Sequence, residues 1–180
     1  MTINAATILD SAAGTLLDRA HRTWPASDLL AYLNEALRAT AGVQPPGFYV
    51  VQTEFTPAIG EEQHLPADGV SLIDVPRNTG GRIITQVDKG LLDESNRFWP
   101  AATQEAVVEH FTEDPRNPRR FVVFPPNDGT GTLDLIYGAV PPQLNYDTDE
   151  IPVPASYQTV LEQFVLAKCH AKNTKRQDLT

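Results

Sequence analysis

Thirteen of the chain's fifteen prolines fall between residues 45 and 152, with one before that stretch, Pro25, and one after it, Pro154. Proline removes a backbone donor and clashes with the preceding helical turn, so the middle of this chain cannot be built from long helices. Its two flanks can. Charge divides the chain at the same places: residues 1–44 carry four acids against three arginines, residues 45–152 seventeen acids against seven bases, and residues 153–180 two acids against four bases. The expectation is an N-terminal helical hairpin over 1–44, an acidic β-rich insertion over 45–152, and a basic C-terminal helix and tail over 153–180.

Apolar spacing supplies the elements. Ile8, Leu9, Ala12, Ala13, Leu16 and Leu17 lie on one helical stripe and predict a helix over 5–19. Leu29, Leu30, Leu33, Ala36 and Leu37 predict a second over 26–40, opened by Pro25 and closed by Gly42 and Pro45-Pro46. The short link makes the two antiparallel neighbours. After Ile151-Pro152-Val153-Pro154, the residues Tyr157, Val160, Leu161, Phe164 and Ala167 predict a third helix, with Lys168, Lys172 and Lys175 along an adjoining edge. In between, 48–55, 70–75, 81–87, 106–112, 120–124 and 132–137 are β-branched or aromatic runs fenced by Gly, Pro, Asn or Asp, and read as strands. Asn127-Asp128-Gly129-Thr130-Gly131 reads as a hairpin turn. Leu91-Leu92-Asp93-Glu94-Ser95 opens a short helical or irregular excursion that lays Phe98, Trp99 and Pro100 over the sheet. The fold class is therefore α+β: a small bundle of two N-terminal helices and a C-terminal helix, with an inserted antiparallel sheet or sandwich.

A net charge of −9 opposes non-specific attraction to DNA or to an anionic membrane. No stretch is apolar for the roughly 18 residues a membrane span needs, and the first residues carry no cationic-then-apolar leader, so the chain is expected in a reducing cytoplasm. The lone Cys169 allows neither an internal disulfide nor a Cys-rich zinc site.

Tests for chemistry return little. His21, His64, His110 and His170 show no His-Glu-x-x-His spacing, and Asp147-Thr148-Asp149-Glu150 lacks the glycine and the distant glutamate of a calcium loop. Cys169 and His170 are helical neighbours pointing roughly 100° apart, so the thiol reads as a small core residue. Ser11, Ser27, Ser71, Ser95 and Ser156 have no Gly-x-Ser-x-Gly flanks, and Gly129-x-Gly131 precedes a strand, not a phosphate-binding helix. Glu61-Glu62 and Glu113-Asp114 read as surface acids on loops. The Arg116-Asn117-Pro118-Arg119-Arg120 island, flanked by Phe111, Phe121 and Phe124, invites a nucleic-acid reading, but Phe121 and Phe124 read more simply as strand residues of a core. No catalytic residue, cofactor or metal is expected.

The wording of the chain resembles the head-to-tail adaptor (connector) proteins of tailed bacteriophages. The resemblance is carried by Ala6-Thr7-Ile8-Leu9-Asp10, by Arg22-Thr23-Trp24 leading into Asp28-Leu29-Leu30-Ala31-Tyr32-Leu33-Asn34-Glu35-Ala36, and by His64-Leu65-Pro66-Ala67-Asp68-Gly69 before Leu72-Ile73-Asp74-Val75. It continues through Leu91-Leu92-Asp93, Asn117-Pro118-Arg119-Arg120-Phe121-Val122-Val123-Phe124-Pro125-Pro126, Tyr137-Gly138-Ala139-Val140-Pro141-Pro142 and Ile151-Pro152-Val153-Pro154, and so spans nearly the whole chain. It departs at Trp99-Pro100, where the family pattern has tryptophan followed by histidine, and at Thr180, past which relatives continue helically.

The resemblance implies a structural virion protein of the neck: a homo-oligomeric ring, twelve-fold in such families, bound below the portal protein. Such a ring extends the channel for passing genomic DNA without sequence-specific binding and gives the tail or nozzle protein its platform. It further implies a portal-docking C-terminal segment, for which Lys168, Lys172, Lys175 and Arg176 are the candidates. Glu61, Glu62, Arg116, Arg119, Asp147, Asp149 and Glu150 are candidates for the channel or the tail side. The plainer reading of the four C-terminal cations is a solvated helix edge. Two other readings stay open: a tail-completion or tail-tube ring protein, and a small soluble enzyme using the acidic clusters.

Overall fold

The computed structural model describes residues 3–43, 47–95 and 97–177, the side chains of 174–177 excepted. It divides into two compact units, one formed by residues 1–44 and 140–180 and the other by residues 45–139. Residues 140–152, which proline and charge counts group with the middle, thus belong with the helices.

In the helical unit a two-stranded antiparallel ribbon, β1 (Ile3–Asn4) against β9 (Glu150–Ile151), leads into helix α1 (Ala5–Thr15), followed by α2 (Ala26–Val43) and, at the other end of the chain, α4 (Gln158–Gln177). All three helices pack on one another. Ile8, Leu9 and Ala12 of α1, Leu29, Leu33 and Leu37 of α2, and Leu161, Val165 and Cys169 of α4 are buried between them. Two expectations shift here. Helix α1 stops four residues early, because Leu17 takes a left-handed backbone (φ 54°) and stands 93% exposed instead of joining the stripe. The stripe of α4 is also rotated: Val160 and Ala167 face out, and the buried residues recur every four positions at 161, 165 and 169. Ion pairs from Lys168 to Glu35 and from Lys172 to Asp28 fix that rotation against α2.

The link between α1 and α2 is built on one carboxylate. Asp18 accepts the backbone N–H groups of Arg22, Thr23 and Trp24 at 2.8–2.9 Å, and Pro25 then opens α2 with its carbonyl accepting from Asp28 and Leu29. Helix α2 runs through Gly42 to Val43, three residues past its predicted end.

The second unit holds two sheets. One has the order β2 (Val50–Phe55), β8 (Leu133–Ala139), β4 (Gly69–Asn78); the other has β3 (Gly60–His64), β7 (Arg120–Asn127), β6 (His110–Glu113), β5 (Thr85–Gln86). Every pair is antiparallel except the two-residue β5–β6 contact, which is parallel. Both sheets contribute to one core: Leu72, Val75, Leu133, Leu135 and Tyr137 from the first meet Phe111, Phe121 and Val123 from the second. A short helix α3 (Lys89–Ser95) and a 3₁₀ turn (Trp99–Ala101) form a satellite cluster in which Leu92 and Trp99 meet Val122 and Phe124. Trp99 is buried there as expected, whereas Phe98 is 80% exposed.

The differences from the predicted strands have local causes. The expected strand over 81–87 shrinks to Thr85–Gln86 because Gly80 (φ 66°) and Gly81 turn the chain back on Asn78. The expected strand over 106–112 begins only at His110. Ahead of it the buried Asn78 side chain donates to the Val108 carbonyl at 2.8 Å and accepts the Val108 N–H at 2.9 Å, doing the work of a neighbouring strand. Strand β3 was not anticipated, since Gly60-Glu61-Glu62-Gln63-His64 shows no apolar alternation. Its one fully buried side chain is Gln63, which accepts the Ala58 N–H and donates to the carbonyls of Ala58 and Gly60. The 127–131 segment turns with Gly129 at φ 84°, but it is not the expected hairpin: β7 and β8, which it joins, lie in different sheets, so it crosses from one sheet to the other.

Candidate functional site

The basic island folds largely onto its own unit. Arg119 Nη2 donates to the carbonyls of Pro66 and Ala67 at 3.4 and 3.3 Å. Arg120 Nε lies 3.3 Å from the Glu62 carboxylate and 3.7 Å from that of Asp114, close enough for charge pairing though not aligned as a hydrogen bond. Arg116 sits on the exposed turn whose N–H is held by Asp114 at 3.0 Å. Asp114, Arg116 and Arg120, with Lys89, Glu113 and Val122, line a cleft of about 740 Å³. Within the cleft Arg120 lies against Asp114, while Lys89 is held by Asp93 on its own helix.

Glu61 and Glu62, expected on a loop, lie on β3, at the bulge between Gly60 and Glu62. Glu62 faces Arg120 and also lies 3.2 Å from His64. Asp147, Asp149 and Glu150 are in the helical unit. The carbonyls of Asp149 and Asp147 accept the N–H groups of Ala5 and Ala6, the Asp149 carboxylate accepts those of Asn145 and Tyr146, and Glu150 stands opposite Asn4 in the ribbon. The seven candidates for the channel or tail side are therefore divided, four in one unit and three in the other.

Of the four candidate docking cations, Lys168 and Lys172 are committed inside the helical unit. Lys168 pairs with Glu35 and lies 5.3 Å from the Phe164 ring centroid. Lys172 pairs with Asp28 at 2.7 Å and stands 5.7 Å above the Trp24 ring. The Asp28 hydrogen bond is the main cause of the raised Lys172 pKa. Lys175 and Arg176 are on the last turn of α4, and their side chains lie outside the described residues.

Cys169 is fully buried, and desolvation pushes its thiol pKa up, away from nucleophilic use. Burial beside the Asp68 carboxylate likewise pushes Tyr137 up to about 12. The strongly held aspartates are structural: Trp24 and its neighbours lower Asp18, the Trp99 indole N–H (2.8 Å) and Lys89 lower Asp93, Thr130 lowers Asp128, and Arg77 (2.6 Å) with Thr79 lowers Asp134. Among the described residues no group of three or more His, Cys, Asp or Glu side chains is placed to hold a metal ion.

Sequence reasoning missed three side chains that hold this framework together. Asn34, Gln63 and Asn78 are buried carboxamides, each closing a pair of hydrogen bonds on the backbone of a single loop residue. Their only signal in the sequence is a polar residue where burial was due.

A family model described as SU10 adaptor protein matches residues 3–179. No curated protein matches the chain.

Proposed function

The chain belongs to the SU10 adaptor protein family, a family of phage head-to-tail adaptors, and from that premise we propose that its copies form a ring below the portal. As a member it is a structural adaptor of a phage and a component of the virion neck. In the proposed assembly the ring is twelve-fold, extends the DNA channel and presents the platform for the tail or nozzle protein. The family match over residues 3–179 carries the reading.

Physical features support it. An acidic stretch with seventeen carboxylates against seven bases suits a surface past which DNA must slide without sticking. A head-to-tail ring also gives a small chain additional buried area through contacts that close on themselves. Because Lys168 and Lys172 are held by α2, the docking charge falls to the end of α4, to Lys175 and Arg176. Glu61, Glu62, Arg116 and Arg119 on one unit, and Asp147, Asp149 and Glu150 on the other, supply the charges proposed to meet the channel or the tail.

The test is the mass of the purified protein alone and after mixing with a purified portal ring, by light scattering. A stoichiometric complex with the portal is expected. Indifference to the portal with capture by a tail component would replace this reading with that of a tail-completion ring.

A further inference from the structure

We propose that the free chain forms a two-fold dimer by pairing the open edge of β2 with β2 of a second copy. The sheet edges of the second unit are not alike. Strand β4 carries Pro76 and breaks register with β8 in three places, and the loop after it covers part of its far side, Ile84 and Pro76 bonding at 3.0 Å and Asn78 and Arg82 at 2.9 Å. Strand β3 is bulged between Gly60 and Glu62, and β5 has two residues. Bulges, prolines and short length are the usual means by which an edge is closed to pairing. Strand β2 has none of them. It keeps unbroken register with β8 over six residues, from Val50 opposite Gly138 to Phe55 opposite Leu133, with no Pro, Gly or Lys.

The parity of its hydrogen bonds is fixed. The Ala139 N–H donates to the Tyr49 carbonyl at 2.9 Å, so Val51, Thr53 and Phe55 also direct their backbone groups to β8. Val50, Gln52 and Glu54 direct theirs away from it, and all three are exposed. Among the described residues the one hydrogen bond on this edge runs from the Thr53 hydroxyl to the Glu54 carbonyl at 3.3 Å.

A second copy fits this edge in the antiparallel register centred on Gln52, the one that pairs all three outward-directed residues of the strand with one another. Gln52 then faces its own equivalent, and Val50 faces Glu54 in both directions. Every outward-directed residue thus meets an outward-directed residue, as a hydrogen-bonded antiparallel pair requires. The single charge of the strand meets a valine; a shift that set Glu54 against itself would place like charges directly opposite. On the inner face Val51 meets Thr53 across the axis, beside the Tyr49, Val51 and Phe55 side chains already packed on the core. Such a contact is isologous and closes at two copies. It is a property of the chain before assembly and does not rest on the proposed ring.

Sedimentation equilibrium of the full chain, from micromolar to submillimolar concentration, tests it with two variants. The wild-type mass is expected to rise from monomer to dimer. Gln52→Pro removes the central outward donor, a position where an edge strand tolerates proline. It should leave thermal unfolding unchanged and weaken the dimer at least about tenfold. Val50→Lys sets a cation opposite Glu54 in this register alone and should tighten the dimer several-fold, and it carries the test if Gln52→Pro fails to fold. A wild-type chain that stays monomeric, that forms a larger ring directly, or whose dimer ignores Val50→Lys overturns the proposal. Portal capture in the same samples is a separate readout: a dimer that never binds portal contradicts the adaptor assembly and leaves the edge pairing standing.

Discussion

Replacing Asn34 with leucine should unfold the helical unit at markedly lower urea. Asn34 is 5% exposed on the buried face of α2, and Leu144 beside it is 4% exposed. The Asn34 amide donates to the Leu144 carbonyl at 2.9 Å, and the Leu144 N–H donates back at 2.8 Å. Leucine keeps the volume but strands both backbone groups of Leu144. Each buried, unsatisfied group costs about 1–3 kcal/mol, so the pair costs about 2–6. Burying the leucine side chain returns about 1.5–3 kcal/mol. Taken at mid-range the net loss is about 2 kcal/mol, which at a urea slope of about 2 kcal/mol/M lowers the midpoint by about 1 M. Trp24 is buried in the helical unit and Trp99 in the other, so a Trp99→Phe background makes Trp24 fluorescence the reporter of the unit being tested. A loss below about 1 kcal/mol would refute the argument that this carboxamide anchors the returning chain.

Three other outcomes follow from the same geometry. A Cβ at Gly131 would lie 2.0 Å from the Ala106 carbonyl oxygen, so Gly131→Ala should cost at least about 1–3 kcal/mol in denaturant unfolding; a neutral result would mean the 127–131 turn is held more loosely than described. Asp18, Asp93, Asp128 and Asp134 all have pKa values lowered from 3.8 in the folded chain. Their stabilisation is therefore complete above that value and disappears as pH falls below it through the folded pKa values. Thermal midpoints should drop steeply below about pH 4, and Asp18→Asn should flatten that drop. Charge reversal at Lys175 and Arg176 should abolish portal binding while leaving the helical signal of the free chain intact, whereas Lys172→Glu, set against Asp28, should reduce the stability of the helical unit; portal binding that survives the double reversal would remove the docking role from these residues.

The helices were legible because burial in a bundle demands a repeat near 3.6, and Ile8, Leu9 and Ala12 or Leu29, Leu33 and Leu37 display it without help from distant residues. Leu17 obeys the same repeat and still leaves the helix, since a carboxylate, Asp18, organises the turn that follows. The phase of α4 was not legible because it depends on Glu35 and Asp28, more than a hundred residues away. Strand β3 was hidden for a related reason: its inward residue is Gln63, whose burial is possible only once the backbone at Ala58 and Gly60 has curled around it. The candidate charges were visible as charges, but their partners were not. Arg119, Arg120, Lys168 and Lys172 each look free in a linear reading and are each held by a partner in the fold. The family was legible in the order of many short stretches, none of which carries chemistry by itself.

The most direct test of the adaptor assembly is an electron-microscopic reconstruction of the purified portal mixed with this protein. A closed ring of the chain, coaxial with the portal and directly below it, with an open channel continuing the portal's own, is the predicted result. Portal particles that carry no added ring at saturating protein would contradict it.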